Sequence, residues 1–153
     1  MSQPPDAFGL RPVEPSDSEE LFRIHLASMG AYLAEAFGEW SEVADREHHE
    51  KWMQDGRAQV ITIGDRTAGA LEVVRDDDAL WLRRIELDPR LQGQGLGSAI
   101  VREIQELARE QGLRVVLDVF PHNPARRLYE RLGFREVDRQ GPYLKMEWDP
   151  RSG

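Results

Sequence analysis

Residues 79–120 constrain the fold more than any other stretch. Ala79 to Leu87 alternates side chains as a half-buried strand does, and Asp88-Pro89 ends it. Glycines follow at 93, 95 and 97. An amphipathic helix opens directly from them. Leu96, Ile100, Val101, Ile104, Leu107 and Ala108 mark one face, with Arg102, Glu103, Gln105, Glu106 and Arg109 opposite. Gly112 ends that helix. Leu113 to Phe120 is then a nearly continuous apolar run, the kind buried on both faces of a sheet. Strand, helix and strand in this order form a right-handed crossover, so the two strands lie parallel.

The stretch ahead of this unit has a different rhythm. Gln59 to Ile63, Ala68 to Arg75 and Ala79 to Leu87 are strands, joined by Gly64-Asp65-Arg66-Thr67 and Asp76-Asp77-Asp78. They predict an antiparallel meander. Upstream, Leu10 to Val13 is a short edge strand, since Pro12 cannot donate a ladder hydrogen bond. Ser16 with Glu19 fits a capping box, and the helix behind it buries Leu21, Phe22, His25, Leu26 and Met29. Gly30 to Gly38 fits neither period. A second helix runs from about Glu42 to Gln54, stopped by Gly56. Downstream, Asn123 caps a short helix with Pro124 at its first position. Ala125, Leu128, Tyr129 and Leu132 form its inner face, and Gly133 ends it. Phe134–Arg139 and Tyr143–Trp148 close the chain as a hairpin across Gln140-Gly141-Pro142. Residues 9–149 read as a single domain, between an N-terminal tail of residues 1–8 that is expected to be disordered and a C-terminal tail of residues 150–153.

A net charge of −8 argues against a nucleic-acid binder that works by neutralising phosphates. It does not exclude a small anionic ligand, because a local cradle can oppose the global sign. The chain has no cysteine, which removes disulfides, thiolate metal sites and a cysteine nucleophile. Met1 to Leu10 lacks the basic and apolar regions of a secretion signal, and no apolar run is long enough to cross a membrane. A cytoplasmic protein with no membrane partner is the expectation.

The glycine loop is a phosphate cradle. Without Cβ atoms its backbone comes close to an anion, and the helix behind it adds free N–H groups and a positive dipole end. A nucleotide P-loop needs a lysine and a hydroxyl after the last glycine, but Gly97 is followed by Ser98-Ala99-Ile100. A dinucleotide fingerprint needs glycine at 98, and that position is serine. Both readings fail. The segment Gln92-Gly93-Gln94-Gly95-Leu96-Gly97 instead resembles the acyl-CoA signature of the GNAT superfamily of N-acetyltransferases, carried by Gln92, Gly95 and Gly97. Asn123-Pro124-Ala125-Arg126-Arg127-Leu128-Tyr129-Glu130-Arg131-Leu132-Gly133-Phe134 is similar to that family's second signature. The order of elements matches from about residue 10 to residue 148.

The resemblance implies a mixed α/β fold. A mostly antiparallel sheet of six or seven strands carries helices on both faces and splits where strands 79–87 and 113–120 run parallel. It implies that acetyl-CoA is the acyl donor, that a primary amine attacks it directly in a ternary complex, and that no metal takes part. Ile85, Glu86 and Leu87 would offer backbone groups to the pantetheine arm. Gly93, Gln94, Gly95, Leu96, Gly97 and Ser98, behind Gln92, would wrap the pyrophosphate. Asn123 and Arg126 would lie near the far side of the donor. Many family members place the asparagine seven residues before the tyrosine, whereas Asn123 stands six before Tyr129 and His122 holds the seventh position. Tyr129 would point its hydroxyl at the thioester sulfur.

The chemistry asks for a base and an acid. A lysine-like amine has a pKa near ~10.4 and attacks only when neutral. A thiolate forming in a dry site must be protonated or hydrogen-bonded. Tyr129 is the candidate acid, against the alternative of a core aromatic sharing a face with Leu128 and Leu132. Glu86 is the candidate base, as an unpaired carboxylate at the end of its strand; the alternative is an ion pair with a neighbouring arginine. Alternation puts it on one face with Leu80, Leu82 and Arg84. Glu72 is the second choice. Tyr32, Phe37 and Trp40 are candidate acceptor contacts, because the family's first two helices cover the acceptor site. Asp45, His48, His49 and Glu50 invite a metal reading, but His48 and His49 point apart, so a solvated helix face is the better account. His25 and His122 have no partner that the sequence names. The acceptor is open, from small amines to peptide amines, and so is a homodimer through an exposed final strand. A non-catalytic acyl-CoA sensor is the alternative from a different class.

Overall fold

The computed structural model describes residues 8–37, 41–91 and 95–152. Its elements are β1 (Gly9–Pro12), α1 (Ser18–Phe37), α2 (Glu42–Gln54), β2 (Gln59–Ile63), β3 (Arg66–Arg75), β4 (Ala79–Leu87), α3 (Leu96–Gln111), β5 (Arg114–Val119), α4 (Ala125–Arg131), β6 (Arg135–Gln140) and β7 (Tyr143–Trp148). Seven strands form one sheet in the order β1-β2-β3-β4-β5-β7-β6. The β4–β5 pair is parallel, as the crossover demands, with Ala79 to Leu82 beside Arg114 to Leu117. The β1–β2, β2–β3, β5–β7 and β6–β7 pairs are antiparallel. No helix among the described residues is long and apolar enough to cross a membrane.

Two compact units share the chain: Met1–Glu72 with Arg84–Leu96, and Val73–Arg83 with Gly97–Gly153. In the first, α1 and α2 sit over the meander. Leu21, Trp52, Ala58, Val60 and Ala70 form a packed cluster there. Ser41 starts α2 by accepting the Ala44 N–H at 3.3 Å on its side chain, and Gly56, at φ 74°, follows its end. The start of α1 differs from the sequence expectation. The reciprocal cap is made by Glu14 and Asp17 around a short 3-10 turn, Pro15–Asp17, and not by Ser16 and Glu19. Asp17 wins that place because its carboxylate also holds Arg11 at 2.7 Å. The ambiguous stretch from Gly30 is helical, so α1 continues unbroken to Phe37.

In the second unit α3 buries Ile100, Val101, Ile104 and Ala108. Two positions on this helix exchange their expected roles. Gln105 is buried and donates its Nε2 to the Leu132 carbonyl at 2.9 Å, while Leu107 is exposed. A satisfied amide can sit inside, whereas the apolar stripe is wide enough to leave one leucine at its edge.

Gly69 in β3 is a close-approach glycine. A Cβ at this position would stand 2.0 Å from the backbone oxygen of Glu86. Backbone cannot swing aside as a side chain can, so Gly69→Ala must push the end of β4 away. We expect a loss of about 3 kcal/mol, at the upper end for overpacking, read as a lower urea midpoint with an unchanged slope.

Candidate active site

In the first unit, β4 delivers Glu86 to its covered face, as alternation predicts. Leu80, Leu82 and Glu86 are buried, and Arg84 is half-buried. The Arg84 guanidinium stacks 4.0 Å over the Trp52 ring of α2. Glu86 is paired, which corrects the expectation of a lone carboxylate. Its two oxygens lie 2.9 and 3.1 Å from Nδ1 of His25 on α1. The arginine of the competing reading is there too, but farther, with Arg84 3.9 Å from Glu86.

His25 therefore has the partner the sequence did not name, and a second one. Its Nε2 lies 2.8 and 2.9 Å from the carboxylate oxygens of Asp45 on α2. A ring that faces a carboxylate from each nitrogen can donate to both once it is protonated, so the geometry favours the imidazolium. Burial pushes the His25 pKa down. The hydrogen bond to Glu86 and the charges of Glu86 and Asp45 push it up, against a small opposing effect of Arg84, and the net shift is upward. The stabilisation that comes from this proton is complete below the free imidazole value and is lost as pH rises through the shifted one.

The solvated face expected for α2 holds at His48 and Glu50, which are exposed, but not at His49. His49 is 2% exposed and donates Nε2 to the Ser18 carbonyl at 3.0 Å. It lies between the rings of Phe22 and Trp52, with centroids 5.2 and 5.8 Å away, and burial lowers its pKa. Among the described residues, no group of three or more His, Cys, Asp or Glu side chains is placed to hold a metal ion. Glu72 is buried and accepts the Trp52 indole N–H at 2.7 Å. Tyr32 is half-buried on α1 and Phe37 is 53% exposed at its end. Trp40, Gln92, Gly93 and Gln94 lie outside the described residues.

The chain leaves β4 through Asp88, which is 1% exposed. Its carboxylate binds Arg90 at 2.6 Å and Arg23 at 2.9 Å, and its own N–H reaches the Ala68 carbonyl. The Arg90 side-chain hydrogen bond, outweighing burial, holds the Asp88 pKa far below the carboxylate range. These contacts anchor the short 3-10 turn Pro89–Leu91 that follows β4. Gly95 takes φ 77°, a left-handed value that needs glycine, and α3 begins at the next residue. Asp88→Asn should cost about 2 kcal/mol at pH 7, as for hydrogen bonds to charged groups. A depressed carboxylate stabilises above its unfolded pKa, so the gap between variant and parent should close as pH falls below about 4. Paired denaturation curves across that range check the sign.

In the second unit, Tyr129 projects from α4 into the core, 5% exposed, its ring 5.7 Å from that of Phe134. Burial drives its hydroxyl well above the usual phenol range, so it stays protonated at any working pH. Asn123 starts α4. Its side-chain oxygen accepts the Ala125 N–H at 2.9 Å and its carbonyl accepts the Arg126 N–H at 3.0 Å. Arg126 is half-buried, 3.6 Å from Glu130. Ile85 and Leu87 are half-buried, and they follow the last residue of β4 that pairs with β5, Leu82.

The family model described as "Acetyltransferase (GNAT) family" matches residues 21–134, most of the chain. The chain belongs to the GNAT acetyltransferase family. Among curated GNAT relatives, human N-acetyltransferase 8B is 36% identical over 93 residues, which is 56% of this chain and 38% of that protein. The chain thus spans well under half of that relative. An acetyltransferase from Thermus thermophilus shares the GNAT fold at TM-score 0.72 and 24% identity, with 94% of this chain and 97% of that one covered. PaiA N-acetyltransferase from Thermoplasma acidophilum, solved in complex with coenzyme A, gives TM-score 0.68 at 19% identity, covering 93% and 98%.

Sequence reasoning named His25 and Asp45 but did not join them to each other or to Glu86. One signal was present: a histidine inside the apolar stripe of an amphipathic helix must find polar partners when buried.

Proposed function

We propose that this chain transfers an acetyl group from acetyl-CoA to a primary amine, by direct attack in a ternary complex. The observation that carries the reading is the buried Glu86 carboxylate, held on an imidazole at the end of the strand that runs into the glycine loop. Family membership and a fold neighbour solved with coenzyme A support acetyl-CoA as the donor. Ile85 to Leu87 lie past the last residue of β4 that pairs with β5 and suit the pantetheine amides as an added strand would. Gly95, Leu96, Gly97 and Ser98 at the start of α3, with Gln92, Gly93 and Gln94 before them, suit the pyrophosphate. Asn123 and Arg126 belong to the donor's far side.

Glu86 takes a proton from the substrate ammonium, directly or through one water. The neutral nitrogen attacks the thioester carbonyl carbon, and the C–S bond breaks. Tyr129 offers its O–H to the departing sulfur. Its raised pKa makes it a weak acid but a permanent hydrogen-bond donor, so it stabilises the developing thiolate. The second amine proton ends on the thiol. Tyr32, Phe37, Trp40 and Glu72 are the acceptor-side candidates, and the acceptor is a small or peptide amine.

A panel of amines with free-thiol detection tests this. Thiol release is expected only when acetyl-CoA and an amine are both present. Release independent of amine, or none with any amine alongside no calorimetric heat for coenzyme A, would sink it.

A further inference from the structure

His25 and Asp45 do more than fill space behind Glu86. A neutral buried histidine is satisfied by one acceptor and one donor. His25 has two carboxylates, from two different elements, one on each ring nitrogen and all within 3.1 Å. His49 in the same unit gives the contrast: it is also buried, donates to one backbone carbonyl, leaves its buried Nδ1 without a hydrogen bond among the described residues, and is biased toward the neutral form.

We infer that Asp45, His25 and Glu86 form one proton-accepting unit, in which His25 and Asp45 are positioning residues that act through Glu86. This rests on the acetyl-transfer reading. The base form carries Asp45 as carboxylate, His25 neutral with its hydrogen on Nε2 toward Asp45, and Glu86 as carboxylate. The substrate N–H bond breaks, and the proton ends shared between Glu86 and Nδ1 of His25. The ring becomes an imidazolium flanked by two carboxylates, each within hydrogen-bond distance of one ring nitrogen. One proton enters and no electron pair leaves the unit. After the amide has formed, the stored proton returns to solvent. The unit solves a mismatch: a lone carboxylate is a poor base toward an amine, whereas an imidazole between two negative charges is a stronger one.

The groups facing His25 set where the unit titrates. From β4 these are Glu86 and Arg84, and from α2 they are Asp45 and His49. The base form is present above the shifted His25 pKa, so kcat/KM should rise with pH through a midpoint above 6.5. Asp45→Asn keeps an acceptor for the Nε2 hydrogen and removes one charge. It should move that midpoint down by about 1 unit and lower the plateau about tenfold. Asp45→Glu should restore most of both.

The experiment pairs two readouts on the full chain. Ring-nitrogen NMR with labelled histidine, assigned by the signal lost in His25→Asn, follows His25 directly. The pH profile of thiol release follows catalysis, with acetyl-CoA and the best amine of the panel. Parallel downward shifts of both midpoints in Asp45→Asn support the inference. An NMR midpoint that moves while the profile stays fixed overturns it and leaves acetyl transfer standing. So does a ring that carries one proton at pH 6 in the parent. No thiol release with any amine overturns both.

Discussion

Tyr129→Phe is expected to lower kcat by about 10²- to 10³-fold, the range for one lost hydrogen-bond donor to a developing charge, with little change in the Kd for acetyl-CoA. The ring stays, and so does its packing on Phe134, because only an oxygen and a hydrogen are removed. Ground-state binding of the donor has no charge at the sulfur for that hydroxyl to stabilise. The charge exists only as the C–S bond breaks, so the loss falls on kcat and kcat/KM together. Stability should change little, since the ring and its packing are kept and only a buried hydroxyl is lost. The raised phenol pKa adds a second signature: kcat should show no decline near pH 10 from ionisation of Tyr129. Steady-state rates of thiol release, calorimetry with acetyl-CoA and a thermal melt separate these effects. A protein that only senses acyl-CoA has no turnover to lose. A variant with undiminished kcat would remove Tyr129 from the reaction.

The fold was legible because its parts are local. Glu42–Gln54, Gln59–Ile63, Ala79–Leu87 and Tyr143–Trp148 each carry their own period and their own stop, and each lies where those signals put it. The parallel β4–β5 pair followed from strand, glycine loop, helix and strand in sequence, with no information from elsewhere in the chain. The misreadings have the opposite character. Asp17 displaced Ser16 in the cap because Arg11, from the neighbouring strand, holds its carboxylate. Gln105 went inside because the Leu132 carbonyl needed a donor. Glu86 and Tyr129 were singled out through the motifs around them. His25 and Asp45 had no motif, and their partners are far away in the chain, with His25 and Glu86 separated by 61 positions. A helical stripe shows that a histidine turns inward. It does not show what it meets there.

Glu86→Gln carries the other large effect. The substituted amide keeps the side-chain length and can still bond Nδ1 of His25, so α1 and β4 stay in register. It cannot take a proton. With the base gone, the amine must arrive already neutral, and kcat/KM at pH 7 should fall by about 10²-fold or more. The deficit should shrink as pH rises toward the amine's own pKa, ~10.4 for a lysine-like acceptor, because solvent then supplies the neutral form that Glu86 would have made. A low-pKa acceptor should be nearly indifferent to the substitution at neutral pH for the same reason. Acetyl-CoA affinity should change little, since Ile85 to Leu87 would meet the donor through backbone groups that the substitution does not alter. Two amines of different pKa, assayed with both proteins from pH 6 to 10, decide the point. If the deficit is the same for both amines and at every pH, Glu86 acts in some other way than by removing the proton that keeps the nitrogen from attacking.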